Sequence, residues 1–297
     1  MARRAAFPSL LALASLLTPA GRRLIGAAAL AVVPAAAVPT APALAADTSD
    51  LVSKSSFRVC ADPANLPFSS RDETGFENEI AELLAAKLEL PVTYEWFPQA
   101  IGFVRRTLMA GKCDVIMGYA QGHELVLNTN HYYVSSYVLA TRADGPLADV
   151  DALADPALKG RKIGVVAGSP PATHMATHGL IGDARPYRLM VDRRIDSPSE
   201  QMIADLEAGE IDAALMWGPI GGYFAGRSAT PLKVTPLLKE EGPPRMFYRV
   251  TLGVRQGEVT WKRKLNSLLR RNQAEIDVIL AKYNVPAVDE FGRAGTE

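Results

Sequence analysis

The segment Ala110-Gly111-Lys112-Cys113-Asp114-Val115-Ile116-Met117-Gly118 returns in outline later in the chain as Ala208-Gly209-Glu210-Ile211-Asp212-Ala213-Ala214-Leu215-Met216. Each copy reads as a helix end, a glycine, a charged residue, an aspartate and an apolar strand. Glycine supplies the left-handed conformation that closes a helix. Two copies of one strand-entry device imply two similar units. Around them strand and helix patterns alternate, which points to an α/β class with mainly parallel sheet. Strands are expected at 57–61, 92–96, 114–118 and 136–141, then at 162–166, 187–191, 213–216 and 246–254. Helices are expected at 76–88, 101–110 and 150–154, from Ser169, at 198–208, from Pro219, and over 258–282. Turn-forming Arg142–Leu147 and Gly242-Pro243-Pro244 mark two breaks. The expected organisation is two α/β lobes, each a mainly parallel sheet flanked by helices. Residues 46–142 plus 250–297 form lobe 1, and 143–249 form lobe 2.

Residues 1–45 read as an export signal. Arg3, Arg4, Arg22 and Arg23 are the only charges before Asp47, an apolar run spans Leu24 to Val38, and Ala43-Leu44-Ala45 suits cleavage. Arg22-Arg23-Leu24-Ile25 leaves both general and twin-arginine export open. The apolar run is too short and too rich in Ala and Pro for a membrane span, and none is expected after cleavage. The remaining chain of about 250 residues carries 28 basic and 32 acidic residues, a net charge of −4. That balance argues against nucleic acid as a partner. Cys60 and Cys113 are the two cysteines. In an oxidising compartment an even count favours a disulfide between them. Against it, both begin or end strands, and parallel neighbours could hold their Cα atoms beyond the ~7 Å limit for a bridge. No metal site is expected. His174 and His178 stand four apart, as zinc ligands on a helix can, but no third ligand is evident and a surface or capping role is preferred.

The strongest binding signal is Phe57–Phe68 followed by Gly75–Leu84. A strand leads into a loop dense in Pro, Asn and Asp, and an amphipathic helix follows. In open α/β sheets such loops line the ligand crevice. Asp62, Asn65 and Phe68 are therefore candidate cleft residues, with Tyr119 beyond the strand at 114–118. Gly168 and Ser169 precede a helix whose N-terminus offers free N–H groups; plain capping, with Ser169 as N-cap and Pro170 at N1, explains them by itself and is the preferred reading. Trp217, at a strand–loop junction before Gly218-Pro219, is a candidate stacking face or interface anchor, and Trp96 a weaker one. No nucleophile–base pair or phosphate loop is present, so no catalytic residue and no cofactor is expected.

Over Ser56–Glu290 the sequence resembles type 2 periplasmic solute-binding proteins of family 3, the amino-acid-binding-like branch. The residues carrying this are Phe57–Phe68, Gly75–Ile80, Gly111–Asp114, Thr129–Tyr133, Lys162–Ser169, Gly209–Asp212 and Ala281–Tyr283. Arg58–Pro63, Pro98-Gln99, Gly102–Arg105 and Met216–Pro219 narrow the likeness to the binding proteins associated with quinoprotein (PQQ-dependent methanol) dehydrogenases, the MxaJ/XoxJ type. The resemblance implies a periplasmic protein with a two-lobed type II binding fold and a quinoprotein alcohol dehydrogenase as partner. It also leaves open an ABC importer as partner, with the chain delivering a small solute, and a dehydratase-like enzyme with Glu77 or Asp62 as acid. Two departures bear on the ligand. Members that bind amino acids carry an Arg after the strand at 114–118, where this chain reads Gln121-Gly122-His123-Glu124-Leu125. They place an Asp after the second-lobe strand, where this chain has Trp217. A zwitterion would lose two charge-assisted contacts of about 1.5–3 kcal/mol each, so ordinary amino acids are not the expected ligand. The enzyme alternative lacks an arginine motif to clamp an acidic substrate.

Overall fold

The computed structural model describes residues 51–293, apart from 190, 287 and 290; the export signal read over 1–45 lies outside them. In chain order the elements are β1 (Phe57–Ala61), β2 (Ala64–Asn65), β3 (Ser69–Ser70), α1 (Phe76–Ala86), β4 (Val92–Trp96), α2 (Phe103–Arg106), β5 (Val115–Ala120) and β6 (Leu127–Arg142). There follow β7 (Ile163–Val166), α3 (Pro170–Thr177), β8 (Ala184–Tyr187), α4 (Pro198–Ala208), β9 (Ala213–Trp217), α5 (Gly218–Ala225), β10 (Leu232–Pro236), β11 (Phe247–Val254), α6 (Val259–Arg271) and α7 (Gln273–Lys282).

Nine strands form one sheet in the order β4-β1-β5-β11-β6-β9-β7-β8, with β10 also paired to β6. Both flanks are parallel: β4, β1 and β5 on one side, β9, β7 and β8 on the other. Within this sheet the antiparallel pairs all involve β6 or β11, and β2 and β3 form a separate antiparallel pair. β6 is 16 residues long. Its first part pairs with β11, and from Tyr137 onward it pairs with β9 and β10.

Apolar side chains pack in separate clusters along this sheet. Phe57, Phe76, Ile80, Leu252 and Leu265 belong to a core between β1, β11, α1 and α6. Leu139, Leu158, Ile163 and Met175 form a second on the β7–β9 side, and Val138, Met202, Leu206 and Met216 a third on the face covered by α4.

The sequence echo has a structural meaning. Gly111 and Gly209 both adopt left-handed backbone, at φ 72° and 74°. Each following aspartate then ties its strand to a parallel neighbour. Asp114 N–H donates to the Arg58 carbonyl at 2.8 Å, and Asp212 N–H to the Lys162 carbonyl at 2.8 Å. The carboxylates differ. That of Asp212 accepts from Lys162 N–H at 2.8 Å near the surface. That of Asp114, 1% exposed, accepts from Arg58 Nε at 2.7 Å, Arg255 Nη2 at 2.6 Å and Ser53 N–H at 3.1 Å.

Cys60 and Cys113 form a disulfide with Cα atoms 5.5 Å apart. β1 and β5 are indeed parallel neighbours, yet Cys113 lies just ahead of β5, close enough to bridge. Several boundaries differ from those read in the sequence. The helix expected over 101–110 shrinks to the four residues of α2, and 150–154 is not helical. The strand expected at 187–191 is β8, ending at Tyr187. The helix expected over 258–282 breaks at Asn272, whose Nδ2 donates to the Leu268 carbonyl at 2.7 Å. Among the described residues no helix is long and apolar enough to cross a membrane.

Candidate functional site

The site lies where β6 passes from β11 to β9. Tyr137 of β6 is opposite Trp217 in the ladder, and its ring meets Trp217 at 5.3 Å and Tyr248 of β11 at 6.5 Å, both edge-on. Trp217 and Tyr248 meet at 5.9 Å. In front of this aromatic corner is a cavity of about 380 Å³ lined by Asn65, Phe68, Glu77, Gln99, Tyr133, Arg193 and the three aromatics. That volume lies within the usual range for small-molecule sites. A larger concavity of about 730 Å³ between α1 and α7 is walled by charged side chains, Glu73, Glu79, Glu82 and Lys282 among them, and shares no residue with the aromatic cavity.

Asn65, Phe68 and Trp217, picked out in the sequence, are brought together here. Phe68 is steadied by Phe76 at 5.2 Å. Asp62 is spent on the loop rather than offered to a ligand. It is buried, and its carboxylate accepts Ala64 N–H at 2.9 Å and Gln99 N–H at 2.7 Å. Tyr119 lines an adjoining groove with Phe103, Arg105 and His123 instead. Gly168 and Ser169 are not among the lining residues. Ser169 occupies the N-cap position of α3 with Pro170 at N1, but its hydroxyl donates to the Val166 carbonyl at 2.6 Å and makes no side-chain cap. Trp96 stacks on Tyr94 at 4.5 Å and is also outside the cavity.

His174 and His178 serve structure. His174 Nε2 donates to the Pro244 carbonyl at 2.7 Å, and His178 Nε2 lies 3.0 Å from Glu240, a carboxylate 3% exposed. Among the described residues no group of three or more His, Cys, Asp or Glu is placed to hold a metal.

Two lining groups carry the electrostatics. Glu77, in the first turn of α1, reaches Gly118, whose backbone N–H donates to it. A methyl group on Gly118 would sit 2.0 Å from Glu77 Oε1, so the glycine makes room for the carboxyl. Burial pushes the Glu77 carboxyl up to about 8; the Gly118 N–H works against this and the Asp62 charge adds to it. Glu77 is therefore a neutral acid at pH 7, able to donate as well as accept. Tyr133 and Tyr137 also stay protonated. Burial raises both, Tyr137 to about 12.

The second group, Arg193, was not legible in the sequence. It lies between β8 and α4 and reaches the loop that leaves β1. Arg193 Nη1 donates to Asn65 Oδ1 at 2.6 Å and lies 3.6 Å from Asp62 Oδ2. Asn65 passes the contact on, its Nδ2 donating to Gln99 Oε1 at 3.1 Å. Arg193 and Asn65 also line a second cavity of about 410 Å³, with Val166, Arg188 and Ser197, so the pair stands between the two spaces. The cationic group that the sequence offered no motif for is thus present, supplied by a loop.

Residues 57–286 match the bacterial extracellular solute-binding proteins, family 3. The periplasmic binding protein XoxJ from Methylobacterium extorquens AM1 is 42% identical, superposes with a TM-score of 0.68, and is covered over its whole length by 79% of this chain. Protein MoxJ of Methylorubrum extorquens is 27% identical over 78% of this chain and 82% of its own. MxaJ from Methlophaga aminisulfidivorans MPT shares the fold at a TM-score of 0.70 and 23% identity, over 78% of this chain and 100% of its own.

Proposed function

Because the chain belongs to the bacterial extracellular solute-binding proteins of family 3, and within them to the MxaJ/XoxJ type, we propose that it is a periplasmic accessory protein of a PQQ-dependent methanol or alcohol dehydrogenase. It acts by binding, with the cavity between Phe68 and Trp217 as its recognition site, and not as an enzyme. Lobe 1 comprises 46–142 plus 250–297 and lobe 2 comprises 143–249, and the cavity lies where they face each other. The observation that carries this reading is the conjunction of full-length likeness to XoxJ with a cavity whose lining includes Phe68, Tyr137, Trp217 and Tyr248. Such a wall suits stacking on a ring, whether of a small ligand or of a partner's side chain, better than gripping a free amino acid.

The test is affinity capture of the dehydrogenase from periplasmic extract, together with dehydrogenase activity in a strain lacking this protein. Co-purification and altered activity support the proposal. Unchanged activity with no capture, combined with micromolar binding of one amino acid, overturns it.

The cavity volume favours a second reading, a substrate-binding protein of an ABC importer for a small solute that is not an ordinary amino acid. A saturating ligand would then raise the melting temperature by mass action, without any dehydrogenase present.

A further inference from the structure

Several residues lining the cavity can donate hydrogen bonds. Arg193 brings a guanidinium. Glu77 brings a neutral carboxyl, and Tyr133 and Tyr137 bring hydroxyls held in their protonated form by burial. The fixed negative charge beside it, Asp62, has its oxygens taken by Ala64 N–H, Gln99 N–H and the nearby Arg193. A cationic ligand therefore meets no open carboxylate. Arg193 uses only Nη1 on Asn65 and Asp62; Nε and Nη2 have no hydrogen-bond partner among the described residues. Those two nitrogens form one edge of the guanidinium, the fork that matches a carboxylate by two parallel bonds. The same cavity is lined by three aromatic rings, Phe68, Trp217 and Tyr248.

We propose that this cavity takes an aromatic carboxylate, with the carboxylate on the Nε/Nη2 edge of Arg193 and the ring against Phe68, Trp217 and Tyr248. The inference rests on the cavity being the protein's recognition site. It names the chemistry that site selects, whether the group is a free small molecule or the C-terminal aromatic residue of the partner protein. A free aromatic amino acid carries the same ring and carboxylate, but its ammonium has no partner and must be desolvated, so it binds more weakly.

Glu77 makes the affinity depend on pH. The groups around it are the Gly118 N–H, Asp62 and the hydroxyls of Tyr94, Tyr132 and Tyr133, with Arg193 in the same cavity. As pH rises through about 8 the carboxyl ionises, and a second negative charge then faces the bound anion. Affinity for the carboxylate falls in that range, whereas affinity for a neutral isostere does not.

The experiment is titration of the purified protein, by calorimetry and tryptophan fluorescence, with phenylacetate, phenylacetamide, phenethylamine and phenylalanine. Phenylacetate is expected to bind at least tenfold tighter than each of the others. Arg193→Gln should lose at least tenfold for phenylacetate, and Arg193→Lys most of that, because an ammonium cannot form the fork. Glu77→Gln should remove the loss of affinity between pH 7 and 9. Equal or tighter binding of phenylacetamide or phenethylamine, or unchanged phenylacetate binding in Arg193→Gln, overturns the proposal. A second arm adds phenylacetate to a dehydrogenase capture. Competition assigns the aromatic carboxylate to the partner's own surface, and phenylacetate binding without competition assigns it to a free molecule. Capture of the dehydrogenase with no phenylacetate binding overturns the ligand class and leaves the accessory role standing. Loss of both removes the accessory role as well.

Discussion

Asp114→Asn and Asp212→Asn make the same chemical change at equivalent places in the two copies of one motif, and burial dictates unequal costs. Asparagine keeps the volume of aspartate and one carbonyl, but not the charge. At Asp114 the carboxylate is 1% exposed between Arg58 and Arg255. Burial pushes its pKa up, but Arg58, Arg255 and the Ser53 N–H outweigh that and hold it below the usual carboxylate value. Without it, two guanidinium groups share a confined space with Glu258. Removing one partner of a buried ion pair costs about 3–5 kcal/mol. Arg58 is 29% exposed and regains some solvent, so the lower end, about 3 kcal/mol, is expected. At about 2–4 °C per kcal/mol for a chain of this size, the melting temperature falls by about 6–12 °C. Asp212 is 39% exposed, and its ion partner Arg161, at 3.7 Å, is 40% exposed; such a pair contributes about 0–1 kcal/mol. Thermal and urea unfolding of both variants checks the contrast. The sign with pH follows. A carboxyl whose folded pKa is depressed stabilises the protein above its unfolded value of 3.8, and this is lost as pH falls through the folded value. Wild type should thus lose its advantage over Asp114→Asn in strong acid. Equal costs at the two sites, or a loss below about 1 kcal/mol at Asp114, would refute the reasoning.

Replacing Cys60 and Cys113 together by alanine opens a loop of 53 residues; on the chain-entropy model this costs about 4 kcal/mol, read as a lower urea midpoint. Trp217→Ala should weaken capture of the dehydrogenase by about 2 kcal/mol, roughly 30-fold, if Trp217 anchors the contact, while circular dichroism shows an unchanged fold. Glu240→Ala leaves the Leu153 N–H, which donates to it at 2.6 Å, and His178 without their buried acceptor; a loss of about 2 kcal/mol in thermal unfolding is expected. For Glu77 the folded carboxyl holds its proton up to about 8, against an ordinary value of 4.5. The folded state therefore binds more protons in that window, and stability falls as pH rises through it. Glu77→Gln should flatten this part of the stability–pH curve.

What the sequence made legible follows from how strongly each segment's pattern is tied to its surroundings. β1, β4 and α4 have the bounds read from the sequence, because their apolar residues pack inward and the ends carry turn or cap residues, such as Ser197 accepting from Glu200 N–H ahead of α4. The first part of β6 escaped notice. Leu127-Asn-Thr-Asn-His-Tyr-Tyr-Val-Ser135 has no apolar alternation, yet Thr129, Tyr132, Tyr133 and Ser135 are buried. Buried polar residues in a central strand break the period-two signal on which strand reading depends. β8 contains Pro186, which argues against a strand interior, but β8 ends the sheet path, paired only to β7, and an edge tolerates proline.

The site was legible only where it is carried by the ends of strands. Asn65 and Phe68 follow β1, and Trp217 ends β9, so the crevice rule for α/β sheets points to all three, and all three line the cavity. Tyr119, Gly168 and Ser169, named by the same rule, do not line this cavity, because the rule names the loops and not the direction each side chain takes. Arg193 was lost for a different reason. Asp192-Arg193-Arg194 reads as a solvated charge run. Asp192 and Arg194 do pair with each other on the surface, at 2.6 Å, while Arg193 between them turns to Asn65. The loop that carries it follows β8, which lies beside β7 and so opens toward the same crevice. Topology could therefore have flagged the loop, but only coordinates tell which of two adjacent arginines crosses. The consequence is chemical. With no arginine at 121–125 and no acid at 217, the charge in this cleft comes from a loop and its aromatic walls from the strands. A fold shared with amino-acid-binding relatives thus carries other side chains at this cavity, which is the basis of the selectivity proposed above, since function resides in side chains set on a common frame.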